Sequence, residues 1–266
     1  VRAPKGSAVI VSAQERAEYA ITLTRIGANK EALSILSQVP TGQVPEAILY
    51  RAFALFNSWD YAESIPLLEQ FAAIPGISPY QAAVAETNLA SALIYEERYG
   101  EARQLLTRLV DDTKTRDFRL LHGNALRILG QVCVLEKRWS EAEKLFSEAS
   151  EILKTSGGLD EFFIRKWKAI ALFLKTPSKE TTEKLNEVQV EAVKLGHWET
   201  VRDCDRFIAQ QFKDETLAMQ LYFGTPYTSY RNKLQRGFAK FELPERYHWL
   251  VGEKSQGRVF VDPLEL

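Results

Sequence analysis

The chain has little that could hold a metal or build a disulfide framework. Its 266 residues include two cysteines, Cys133 and Cys204, and three histidines. The cysteines lie far apart, each inside an apolar-periodic stretch and without a C-x-x-C spacing, so two buried free thiols are expected. Such thiols fit a reducing compartment, and a cytoplasmic location is the expectation. His122, His197 and His248 have no second ligand at i+3 or i+4, so they read as surface or interface histidines and no metal is expected. Asp203-Cys204-Asp205 puts two acids at i and i+2, on different faces of a helix, which reads as solvated carboxylates flanking a buried thiol.

Long apolar runs are missing too. Charged residues interrupt each of them well short of a membrane span. The apolar part of the opening VRAPKGSAVIVSA is too short for a signal peptide. The one methionine is Met219, and a chain that does not open on Met is expected to be a processed or excised piece. A net charge of −1 sets up no global field towards nucleic acid or a membrane, so nucleic acid is not the expected partner. No phosphate loop, nucleophile elbow, H-E-x-x-H or calcium loop occurs. The sequence therefore predicts a protein that is not an enzyme and uses no cofactor.

What is present is a recurring helical stripe. In LRILGQVCVLEKRWSEAEKLF, Leu126, Leu129, Gly130 and Cys133 recur at three and four. A second stripe runs through Ala142, Leu145, Phe146 and Ala149, out of phase with the first. Two helices of about a dozen residues joined by a tight turn satisfy both stripes. A mid-helix glycine costs about 1 kcal/mol against alanine, so Gly130 implies a close approach, and Ala142 is its expected partner.

These residues resemble the tetratricopeptide repeat: L-x-x-L-G-x-x-C stands where the family has W-x-x-L-G-x-x-Y, followed by A-x-x-x-F. Matches recur at Leu89, Ala90, Leu93, Tyr99, Ala102 and Leu106; at Ala52, Leu55, Tyr61, Ser64 and Leu68; and at Tyr19, Ala20, Leu23, Ala32 and Leu36. The small residue of the second helix falls at 32, 64, 102 and 142, at intervals of 32, 38 and 40, so helices or loops exceed the family's usual length. Two degenerate pairs follow, one across Thr176-Pro177 with Ser178 as N-cap and one ending at Gly224. The resemblance implies an all-α, right-handed superhelical array of about six antiparallel helix pairs over residues 10–224, within a domain of residues 1–224.

From Thr225 the periodicity changes. Residues 225–266 read as a small C-terminal cap or the truncated start of another domain, with a short basic helix and a strand at RVFVD. This tail is similar to junctions in bacterial regulators that join helical repeats to a winged helix. Arg231, Lys233 and Arg236 form a candidate basic patch, expected to be a solvated helix face.

In the family, the first helices of successive pairs line a concave groove. Carried over, the groove positions are Tyr50 and Phe53, then Thr87, Asn88 and Ser91, then Asn124, Arg127 and Gln131, then Lys166 and Trp167. Amides can grip an extended peptide backbone, Arg127 and Lys166 can meet a carboxylate, and the aromatics can anchor side chains. The same aromatics also read as core residues. The family's clamp for C-terminal carboxylates is not intact, because Ala17 and Ile21 stand where it needs Lys and Asn. The expected function is a scaffold or adaptor that binds a protein or peptide. The other reading is a sensory part of a larger bacterial regulator.

Overall fold

A computed structural model describes residues 12–154 and 159–224. The basic patch, the cap and the strand expected of the tail lie outside the described residues. Among those that are described there are twelve helices and no strand. They are α1 (Ala13–Arg25), α2 (Asn29–Leu36), α3 (Glu46–Asn57), α4 (Tyr61–Ala72), α5 (Pro79–Tyr95) and α6 (Tyr99–Thr115), then α7 (Arg119–Leu135), α8 (Trp139–Leu153), α9 (Leu159–Lys175), α10 (Lys179–Lys194), α11 (Trp198–Phe212) and α12 (Glu215–Phe223). Taken in order they make six helix pairs, as the repeated stripe predicts. α7 and α8 have 17 and 15 residues rather than about a dozen, which accounts for the wide repeat interval.

The small residues set the packing distance within the first four pairs. Ala32, Ser64, Ala102 and Ala142 are each at most 1% exposed. Gly130 is the tightest point. A Cβ built there would lie 2.6 Å from the Phe146 ring, so the residue must be glycine for α7 and α8 to approach this closely. The sequence pairs Gly130 with Ala142, but the structure puts Phe146, one turn further along α8, against it. The reason is that helical side chains lean towards the helix N-terminus, so a residue covers the turn before its own Cα.

One turn recurs between helices. Residue 59, 97, 117 or 137 sits at φ near +60°, and the next amide donates to the carbonyl five residues back: Asp60 to Leu55, Arg98 to Leu93, Phe118 to Thr113 and Arg138 to Cys133. This is the left-handed C-terminal cap of a helix. Here Trp59, Glu97, Asp117 and Lys137 adopt it where glycine is favoured, whereas Gly27 and Gly196 occupy the equivalent place in two other turns. Ser178 caps α10 as expected, accepting from the Thr181 amide, while the Thr181 hydroxyl accepts in return from the Ser178 amide.

The chain divides into two compact units, Val1–Ala92 and Leu93–Leu266. In the first, Leu23, Leu36, Val39 and Val44 build a core between α1, α2 and the start of α3. α1 and α3, the first helices of two successive pairs, touch directly. In the second, Leu126, Phe146, Leu153, Phe162, Ile170, Phe173, Leu185 and Phe207 form one continuous cluster. There α9 touches both α7 and α11, so first helices again make one layer.

Candidate functional site

In the first unit, the face shared by the first helices carries a concavity of about 290 Å³. Ile21, Thr24 and Arg25 of α1 line it, with Tyr50, Phe53, Phe56 and Asn57 of α3 and Asn88 of α5. Three of the residues expected in a groove, Tyr50, Phe53 and Asn88, thus meet in one place. Arg25 and Ile21 complete it; Arg25 gave no signal in the sequence, because only the α1–α3 contact turns it inwards. The polar groups here differ in how they are used. Asn57 Nδ2 donates to the Thr24 carbonyl (3.3 Å) and Asn88 Nδ2 to the Val84 carbonyl (2.8 Å). Thr87 and Ser91 return their hydroxyl protons to the carbonyls of Ala83 and Thr87 in their own helix. Burial, then the carboxylates of Glu46 and Glu18, raises the Tyr50 phenol above its ordinary pKa. Arg25 forms no ion pair among the described residues.

The second unit brings the other groove residues into a bonded chain. On α7, Arg127 donates through Nε (3.2 Å) and Nη2 (2.9 Å) to Asn124 Oδ1, and Asn124 Nδ2 donates to the Leu120 carbonyl. The Gln131 amide is fixed by its donors: its oxygen accepts from Arg127 Nη1 (2.8 Å) and from the Trp167 indole (3.2 Å). The Arg127 guanidinium also lies 5.3 Å from the centre of the Phe163 ring. Burial draws the Arg127 pKa down, against the opposing pull of Asp160 and Tyr95. No ion pair of Arg127 exists among the described residues.

Lys166 is a different case. It is 1% exposed, and its Nζ donates to Asp203 Oδ2 at 2.8 Å across the α9–α11 contact. Arg206 Nε lies 3.7 Å from the other Asp203 oxygen and its guanidinium 4.3 Å from the Phe207 ring centre. Asp203 is itself 1% exposed, so the expectation of a solvated carboxylate there is corrected: the side chain turns to the inner face because the buried lysine needs a counter-charge. Asp205 accepts from Gln189 Nε2 (2.6 Å) and is held above its usual pKa, chiefly by burial. Trp167 is 6% exposed and packs edge-on to Phe207, so it serves the core as well as the inner face.

Tyr95, in the last turn of α5, hydrogen-bonds Glu199 of α11. Burial first, then the Glu199 and Asp203 carboxylates, pushes its phenol well up. His197 caps α11, accepting the Thr200 amide proton at Nδ1 (3.3 Å). Burial, then the Lys166 charge, lowers its pKa to about 4. His122 is buried rather than on the surface; its Nδ1 lies 3.1 Å from the Val110 carbonyl. Cys133 and Cys204 are unpaired and buried, and burial pushes both thiols up to about 12. No helix among the described residues is long and apolar enough to cross a membrane.

With this geometry in hand, residues 81–155 match the tetratricopeptide repeat family, from early α5 to the end of α8. The array also resembles solved structures described as nearly identical TPR-like repeats of a kinesin light chain from Podosopora anserina. A single-substitution variant of that protein is 20% identical with a TM-score of 0.50, over 69% of this chain and 95% of that one. The unsubstituted form is 19% identical with a TM-score of 0.48, over 68% and 95%. At this identity the likeness is one of fold. Among curated proteins no match is found.

Proposed function

We propose that this array of tetratricopeptide-like helix pairs is a non-catalytic adaptor that holds a protein or peptide ligand on the inner faces of its first helices. The observation that carries the proposal is the concavity of the first unit, where Tyr50, Phe53 and Asn88 from two successive first helices converge with Arg25. Aromatic walls offer apolar area to a ligand side chain, amides offer hydrogen bonds to an extended backbone, and a guanidinium without an ion pair offers charge. The second unit adds Arg127, held at two points by its own amide neighbours. Lys166 is spent on Asp203 and is better read as joining α9 to α11 than as a ligand contact. A cytoplasmic location belongs to the same proposal, supported by the two unpaired thiols.

The test is selection of random peptides displayed on phage against the full chain, followed by titration calorimetry of a selected peptide. Arg127→Ala or Tyr50→Ala should weaken binding, Arg127→Ala by about 1.5–3 kcal/mol, the range for a charged hydrogen bond. Neither change should lower the melting temperature much. Leu129→Ala is the control, since this buried residue should instead cost about 2–5 kcal/mol of stability. Selected peptides that bind both groove variants as tightly as the wild type would overturn the proposal.

A further inference from the structure

A separate concavity of the second unit lies between α8 and α9, and none of the inner-face residues lines it. It holds about 220 Å³. That is less than the roughly 300–1,000 Å³ of a small-molecule pocket, so it suits inserted side chains better than a free ligand. Trp139 of α8 with Ala171 and Leu172 of α9 make its apolar wall, and Leu172 is 37% exposed. Lys168 and Lys175 border the wall, about 10 Å apart along α9, and Glu143 of α8 is the one acid of the groove. The side chains of Lys168, Lys175 and Glu143 make no hydrogen bond or ion pair among the described residues.

The next helix carries the converse surface. α10 buries Thr181, Leu185, Val188 and Ala192 and turns Val190 to the opposite side. Val190 is 55% and Val193 47% exposed. Glu187 and Glu183 stand one and two turns before Val190 on its own stripe, exposed and without an ion pair among the described residues. Lys194, one turn beyond Val190, is the one cation of that stripe. Nearby charges are matched instead, Lys184 with Glu180 and Arg165 with Glu161 and Glu191. Two unmatched lysines thus flank an apolar groove, and two unmatched acids flank an apolar ridge. Within one chain the two cannot meet, because α10 packs on α9 through the stripe opposite Val190. They do adjoin, since α9 touches both α8 and α10, so one neighbour can engage both.

We propose that this chain forms a two-fold dimer in which α10 of each copy lies in the α8–α9 groove of the other. The register follows from spacing. Val190 and Glu187 are three residues apart, as are Leu172 and Lys175, so Val190 set on Leu172 brings Glu187 to Lys175. The two-fold axis repeats the contact, so each copy gives its ridge and receives its partner's, and the assembly closes on itself. Both exposed apolar surfaces are covered together. No residue of the inner face takes part, so the dimer stands or falls independently of the adaptor reading.

Charge reversal with mixing is the test. One full-length variant carries Lys168→Glu and Lys175→Glu, and a second carries Glu183→Lys and Glu187→Lys. Sedimentation equilibrium is run at about 100 μM, above the micromolar upper end for interfaces of standard size. The wild type should have twice the mass of one chain. Each variant alone should have the mass of one chain, since its groove and ridge now carry like charges. An equal mixture of the two should recover the doubled mass, because the reversed groove of one meets the reversed ridge of the other while their second contact keeps its native charges. That recovery also shows that the single variants are folded. A monomeric wild type, variants that dimerise alone, or a mixture that stays monomeric would overturn the proposal. Wild-type assemblies larger than a dimer would overturn the two-fold arrangement.

Discussion

His197 shows how much one inward-facing residue can do. Its Nδ1 caps α11 and its ring packs against Phe163 at 5.0 Å, beside the buried Lys166. Its pKa of about 4 in the folded state, against an ordinary 6.5, means the folded chain binds the proton less readily than the unfolded chain. The neutral imidazole's contribution is therefore complete above about pH 6.5 and is lost as pH falls from there to about 4. At about 1.4 kcal/mol per unit the full shift amounts to roughly 3–4 kcal/mol. His197→Asn keeps an N-cap oxygen without a titrating ring. Urea melts at pH 7 and pH 4.5 should then differ less for the variant than for the wild type; equal differences would show that His197 does not titrate as argued. Little of this was legible in the sequence. Lys166 and Asp203 stand 37 residues apart, and their helical stripes do not say which polar residue turns inwards. A buried lysine and its acid on separate helices meet only once the helices are docked.

At the scale of the element, the sequence was far more informative. Small residues at one place in the second helices of the first four pairs, with a 3.6-residue stripe on either side, determine where helices start and which faces meet. Their partners were less legible, since the Gly130 contact depends on the lean of the Phe146 side chain. Gly130→Leu should overpack the α7–α8 contact and cost about 1–3 kcal/mol. Gly100 is its contrast: it lies in the first turn of α6 with nothing within 4 Å of an added Cβ. Gly100→Ala should leave stability unchanged or raise it by up to about 1 kcal/mol, because alanine loses less backbone freedom on folding. Thermal unfolding of the two variants side by side checks the packing, and equal melting temperatures would contradict it.

For the whole molecule, architecture came from repetition, and function came only in part. The first helices were assigned to one face from the family pattern, and the structure groups Tyr50, Phe53 and Asn88 in one unit and Asn124, Arg127, Gln131 and Trp167 in the other. The helical stripes could not say that Lys166 would be consumed by Asp203, or that the Gln131 oxygen would be taken, because both follow from contacts between helices distant in sequence. The central claim is that a ligand lies on the first helices. Its most direct test is hydrogen exchange of the full chain with and without a selected peptide, resolved to helices. Slowed exchange in α1 and α3, or in α7, α9 and α11, with α2, α4, α8 and α10 unchanged is the result the account predicts. Slowing confined to α2, α4, α8 and α10 would place the ligand on the second helices and contradict it.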